Sequence, residues 1–253
     1  MSTLPTSVKG RPPKKECKIL VINPNSSQSM TQSLMTLFET SPPPSHVTLS
    51  FFTGPTECPE SIDDAQGCHD SAEACLPLLL PSVRARAYDA YLVACYSEHP
   101  LPALLRDAAA SGGTPVYALG IFEASVLYSL AHTLPNEKFG IITTGKAWEP
   151  LLTDALDRFL GAPNSTRFAG VISTGYTAGE LHKVPRSDLY RKIGEAAKVL
   201  VHDRGARVIC LGCAGMVGME DAIVDALGDE WAGKIVIVDG VRVGVRLLSS
   251  WMV

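Results

Sequence analysis

Leu92-Val-Ala-Cys95-Tyr-Ser97 and Ile209-Cys-Leu-Gly-Cys213-Ala-Gly215 share one pattern. In each, a short apolar run carries a cysteine at its end and turns at once into small or polar residues. Unbroken apolar runs of this length are buried strands of a parallel sheet rather than half-exposed ones, which would alternate. Outward from these two, similar runs recur at 18–22, 47–52, 115–119, 138–142, 168–172 and 234–238. Segments long enough for helices lie between them. One runs through Met30, Leu34, Leu37 and Phe38, and a long one spans 61–87, broken around Pro77 and Pro81. Others pass through Leu101, Leu104 and Leu105, through 122–132, through Trp148, Leu152, Leu156 and Phe159, and through 186–203; a last helix runs to Trp251. Strands alternating with helices predict an α/β fold with parallel sheet covered on both faces. Eight strands fit one sheet or two of four, and periodicity does not choose between them. In such folds ligands sit at the carboxyl ends of strands, which is where Cys95 and Cys213 fall.

The chain has 253 residues, of which 46% are hydrophobic and 19% charged, with a formal net charge of -4. That is ample for a large core. A mildly acidic balance gives no electrostatic reason to bind nucleic acid or an anionic membrane. No run approaches the roughly 20 apolar residues of a membrane span. Residues 1–16 hold three prolines and four Lys or Arg and lack the apolar stretch of a secretory signal, so they read as a disordered tail. With seven cysteines and no such signal, reduced thiols and a cytoplasmic location are expected.

Cys17 and Cys210 lie inside apolar strands and read as core. Cys58, Cys68 and Cys75 follow the second strand; Cys68 and His69 make no metal-ligand spacing. Cys210 and Cys213 form a CxxC, but one sulfur falls within a strand and the other at its end, and no second CxxC exists. Cys95 and Cys213 each precede residues that open toward a helix, where backbone N–H groups favour a thiolate. Position alone leaves them open between inert core thiols and reactive ones. The turn Asn23-Pro-Asn-Ser-Ser27 and the pair Thr143-Thr144 can cap helices or bind a polar ligand. Glu98 and His99 stand beside Cys95 and could orient it, or be merely solvated. There is no GxGxxG after the first strand, no Walker loop and no GxSxG elbow. None of the six histidines is placed by the sequence as a base for a cysteine hydrolase.

Three segments, in order, resemble the aspartate/glutamate racemase superfamily and within it the hydantoin racemase family. They are Ile22-Asn-Pro-Asn-Ser-Ser27 with Met30-Thr31, Val93-Ala-Cys95-Tyr-Ser97, and Leu211-Gly-Cys213-Ala-Gly-Met216. Gly54-Pro55 with Ser61-Ile62, and Gly120-Ile-Phe-Glu-Ala124, also fit. The likeness spans Lys18 to the C-terminus and points to a fungal branch linked to allantoin and related ureides. It implies two pseudo-symmetric parallel-sheet α/β halves with the active site in the cleft between them. The first half is expected over 17–119 plus 216–253, and the second over 120–215. It also implies racemisation by two thiols, Cys95 and Cys213, with no metal, pyridoxal or other cofactor. Asn25, Ser26, Ser97, Thr144, Ala214 and Gly215 are the expected substrate-binding positions. Where many bacterial members have Asp-Pro-Gly, this chain has Glu98-His99-Pro100, so the likeness does not fix the substrate. The expected partners are a small-molecule substrate and further copies of the chain, with no nucleic acid and no membrane. Other readings are an amino-acid racemase, a related decarboxylase or isomerase, and a catalytically silent ligand-binding protein of the same fold.

Overall fold

Continuous apolar runs build the centre of the fold. In the computed structural model, which describes residues 16–113, 115–181 and 183–252, the first run is β1 (Cys17–Asn23), buried at every position but one. Helix α1 (Gln28–Thr40) follows, then β2 (Val47–Thr53), α2 (Ala65–Arg84), β3 (Ala90–Val93), α3 (Leu101–Ser111) and β4 (Tyr117–Gly120). All the pairings among these strands are parallel, in the order β2-β1-β3-β4. After α4 (Ile121–His132) the pattern repeats. Here β5 (Lys138–Thr143), α5 (Trp148–Leu160), β6 (Phe168–Ser173), α6 (Arg186–Lys198), β7 (Ala206–Gly212), α7 (Glu220–Leu227) and β8 (Val236–Asp239) give the parallel order β6-β5-β7-β8. Helix α8 (Gly240–Ser250) closes the described chain. The eight runs therefore form two sheets of four with one repeated order, and that repetition is the pseudo-symmetry expected of the halves.

The repeat fixes where a ligand can sit. In each sheet the order reverses between the first and third strands of the set, β1 and β3 in one, β5 and β7 in the other. Connections leave such a pair in opposite directions and open a crevice at the strands' carboxyl ends. Asn25 follows β1 and Cys95 follows β3; Thr144 follows β5 and Cys213 follows β7.

Helices α4 and α8 pack on each other and touch strands of both sheets. Helix α4 buries Ile121, Phe122, Ala124, Ser125, Val126 and Ser129, which spread round its circumference as suits a helix covered on opposite sides. The core cluster they join runs from Ile19 and Leu92 in the first half to Phe139 and Val208 in the second.

Three expectations are corrected. The return to the first half at residue 216 comes later: β8 pairs with β7 in the second sheet, and α8 brings the chain back against β3 and β4. A fourth parallel strand completes the second sheet before the chain leaves it. The helix expected to break at Pro77 and Pro81 runs unbroken as α2. Both prolines lie on its exposed face, where water can take up the carbonyls they leave without an N–H. The helix expected over 186–203 is α-helical only to Lys198 and ends in a π-helical turn, Val199–Asp203. Residues 1–15 of the expected tail lie outside the described residues.

Candidate active site

The loop after β1 is held rigid by its own side chains. Asn23, buried, donates from Nδ2 to Asn25 Oδ1 at 2.8 Å, to the Ser27 carbonyl at 3.0 Å and to Thr31 Oγ1 at 3.1 Å. Asn25 Oδ1 also accepts from the Ser27 N–H at 2.9 Å, and Ser27 caps α1. The acceptor side of Asn25 is thus spent on structure. Its Nδ2 faces only Met30 Sδ at 3.0 Å, a weak acceptor that a ligand oxygen can replace. Gly54 is required here: a Cβ on it would meet the carbonyls of Pro24 and Asn25 at 2.8 Å. The turn is therefore both a cap, through Ser27, and a wall of the site, through Asn25.

The same economy holds in the second half. Thr143 Oγ1 donates to the Gly212 carbonyl at 3.2 Å and ties the ends of β5 and β7 together. A Cβ on Gly212 would come within 2.6 Å of the Ile142 carbonyl, so only glycine lets the two strands close up beneath Cys213. Neither Thr143 nor Thr144 caps α5, whose N-cap is Ala147 without a side-chain bond.

These loops meet at one cavity of ≈ 30 Å³, lined by Asn25, Cys95, Thr144, Cys213, Ala214 and Gly215 together with Met30, Ile62, Trp148 and Ala178. Six of the eight expected site residues are thus brought together. Ser26 lies off the cavity, its N–H donated to the Pro59 carbonyl at 3.1 Å. Ser97 is also outside it, but its hydroxyl lies 3.3 Å from Cys95 Sγ and 3.3 Å from Cys68 Sγ. Contacts between the halves close the cleft: Asp63 Oδ1 accepts from the Ala178 N–H at 3.3 Å, and Glu98 pairs with Arg158 of α5 at 2.6 Å.

The thiols are less acidic than their position suggests. Cys95 is held well above the ordinary thiol range, first by its pairing with Cys68 and then by burial. Burial pushes Cys213 up to about 11, against the pull of the Gly215 N–H, which donates to its sulfur at 3.3 Å. The expected lowering by backbone N–H groups is present at Cys213, from Gly215 and Met216, but burial outweighs it. Cys213 is followed by a three-residue 3-10 turn and the loop of Cys95 by α3 only at Leu101, so few N–H groups reach either sulfur. Desolvation of a thiolate then outweighs them.

Cys68 is the residue the sequence did not bring to the site. It stands on the buried face of α2, four residues beyond the N-cap Asp64, and its pKa is drawn down by the hydrogen bond with Cys95. The sulfurs of Cys68 and Cys95 and a ring nitrogen of His99 all lie within 4.8 Å of one another. His69, the neighbour considered with Cys68, is exposed. Burial pushes His99 down to about 3, so it is neutral. Its Nδ1 accepts from the Leu101 N–H at 3.2 Å, which leaves Nε2–H to donate to Ser71 Oγ at 2.9 Å. With both nitrogens engaged, this trio offers a soft metal two thiols and no free imidazole lone pair. Glu98 points to Arg158, away from the thiols. Cys210 is fully buried 3.1 Å from Ser129 Oγ, so the CxxC does not present two sulfurs to the cavity.

A model of the Asp/Glu/Hydantoin racemase family matches residues 19–248. The chain belongs to that family. By that membership it is a racemase-type isomerase, and the family acts on small molecules. A hydantoin racemase of Rhizobium meliloti is 33% identical over 236 residues, 92% of this chain and 87% of that protein. An uncharacterized Schizosaccharomyces pombe protein is 38% identical, covering 92% of this chain and 91% of its own. The crystal structure of an allantoin racemase from Pseudomonas fluorescens superposes with a TM-score of 0.72 at 25% identity, over 92% of this chain and 89% of that one. Among the described residues, no helix of this racemase-family chain is long and apolar enough to cross a membrane.

Proposed function

We propose that the chain racemises hydantoin-type ureides, a 5-substituted hydantoin or allantoin, by moving a proton between two thiols. The supporting observation is that Cys95 and Cys213 come from equivalent positions of two like sheets and line one cavity. Inversion of a carbon needs a base on one face and an acid on the other. One thiolate takes the C5 proton: the C–H bond breaks, an S–H bond forms, and the electron pair moves into the adjacent carbonyl as an enolate. The opposite thiol returns a proton to the other face. In the reverse direction the roles exchange, which is why two like groups suit the task. The Asn25 amide and the Thr144 hydroxyl would stabilise the enolate oxygen, while the Gly215 N–H holds the Cys213 sulfur. A ureide ring flattens readily and carries no α-ammonium, so the site needs no counter-charge for one. The hydantoin and allantoin racemases among the relatives support this substrate class. The chemistry asks nothing of a cofactor. The homo-oligomer and the cytoplasmic location expected from the sequence remain part of this proposal, and light scattering and a tagged chain test them.

Polarimetry on single enantiomers of allantoin, 5-methylhydantoin, aspartate and glutamate tests the reading. Decay of rotation to zero with the first two and not the last two is expected. Activity confined to the amino acids would replace the substrate, and activity on none would favour a silent binding protein.

A further inference from the structure

The cavity between the thiols, at ≈ 30 Å³, has room for about two waters and not for a ring with a substituent. Beside it lies a second cavity of ≈ 610 Å³, a size usual for small-molecule sites. Trp148 lines both. Ser97, whose hydroxyl touches Cys95, lines the larger one, as do Cys68, Arg106 and Glu123.

Glu123 is the anomaly. Its Oε2 is buried with no hydrogen-bond partner. It is the third residue of α4, directly after β4, and its carboxyl lies over Gly120, where a Cβ would meet Oε2 at 2.3 Å. Gly120 pairs in register with Val93, two residues before Cys95. Neighbouring strands are about 4.8 Å apart, so the carboxyl stands one strand over from the reacting thiol. Arg106, on the same cavity, spends one Nη1 on the Ala118 carbonyl at 2.6 Å, and its guanidinium has further N–H donors. Burial raises the Glu123 carboxyl to about 7, against the pull of the Glu123 and Gly120 backbone groups and of the Arg106 charge.

An acceptor at Glu123 and donors at Arg106 match a group with N–H donors beside a carbonyl acceptor, as in a urea. We propose that the larger cavity is a subsite for an exocyclic ureido arm, with Glu123 accepting its N–H and Arg106 donating to its carbonyl. Glu123 then sets the preference for ureido-bearing over alkyl-substituted hydantoins. A ureido arm reaches roughly 4 Å beyond the ring by amide bond lengths, enough to pass Ser97 while C5 stays between the thiols. This inference rests on the proposed ureide racemisation and names the member of that class which the site prefers.

The test compares allantoin with 5-methylhydantoin in the wild type and in Glu123→Gln. Gln keeps the size of the side chain but replaces one carboxyl oxygen with an NH2 donor, which opposes the N–H of a ureido arm. The expected result is a KM for allantoin raised about tenfold or more, with kcat and the 5-methylhydantoin constants changed less than about twofold. Should Glu123→Gln not fold, Arg106→Gln gives the same expected split. Equal changes for both substrates, or none, would overturn the subsite and leave the racemase reading standing. A wild type that racemises neither ureide would overturn both.

Discussion

Cys95 does not face the cavity as a lone thiol. It shares Ser97 with Cys68, whose pairing with it raises Cys95 and draws Cys68 down. Since pairing with Cys68 is the largest influence raising Cys95, Cys68→Ala should make Cys95 more acidic. A base must be a thiolate, so kcat/KM climbs with pH until its pKa is passed. With Cys213 raised to about 11, both directions of the wild type should still be climbing above pH 9. In Cys68→Ala the rising limb for the enantiomer deprotonated by Cys95 should move to lower pH, while the rising limb for the other enantiomer stays. Initial rates on each enantiomer between pH 6 and 11 check this; unmoved limbs would remove Cys68 from the site. At this scale the placement of Cys95, Cys213, Asn25 and Thr144 at strand carboxyl ends was legible, because an apolar run marks such an end plainly; their expected roles came from the family resemblance. Cys68 was not. Its face of α2, shared with Ala72, Cys75, Leu79 and Val83, reads as ordinary core, and no local pattern tells which strand end that face will meet.

The strands were legible because parallel strands buried on both faces leave a continuous apolar run, and all eight stand within a few residues of the expected positions. The division into two sheets was not, because register and order depend on contacts between distant segments that periodicity does not encode. The unbroken α2 shows the same limit. Proline is a strong local stop signal, but on a solvent face its cost is met by water and by the buried side of the helix. That cost is still present in the folded chain. Pro77→Ala restores an N–H in mid-helix, worth ~3 kcal/mol, and gives back ~1 kcal/mol of unfolded-chain freedom. The variant should be more stable by about 2 kcal/mol in urea melts. A loss of stability would mean that the prolines shape the helix for the contact of Cys68 with Cys95.

Across the whole molecule, one strand order used twice sets two thiols at matching places, and the helix pair α4 and α8 locks the sheets together. The β8 strand sits in the second sheet while α8 returns to the first, so the first half is completed by chain that has passed through the second. Glu98 with Arg158, and Asp63 with the Ala178 N–H, bridge the two halves, and the cavity between the thiols is too small for a substituted ring. Entry of a ring therefore needs the cavity between the thiols to widen. The central claim is that one thiol works on each face of the carbon. Exchange and inversion of enantiopure allantoin in D2O, for the wild type, Cys95→Ser and Cys213→Ser, test it most directly. Each variant should lose racemisation by about 10³-fold or more. Each should still exchange the C5 proton of one enantiomer, and the two variants should choose opposite enantiomers. Racemisation near the wild-type rate in either variant, or exchange of the same enantiomer by both, would contradict it.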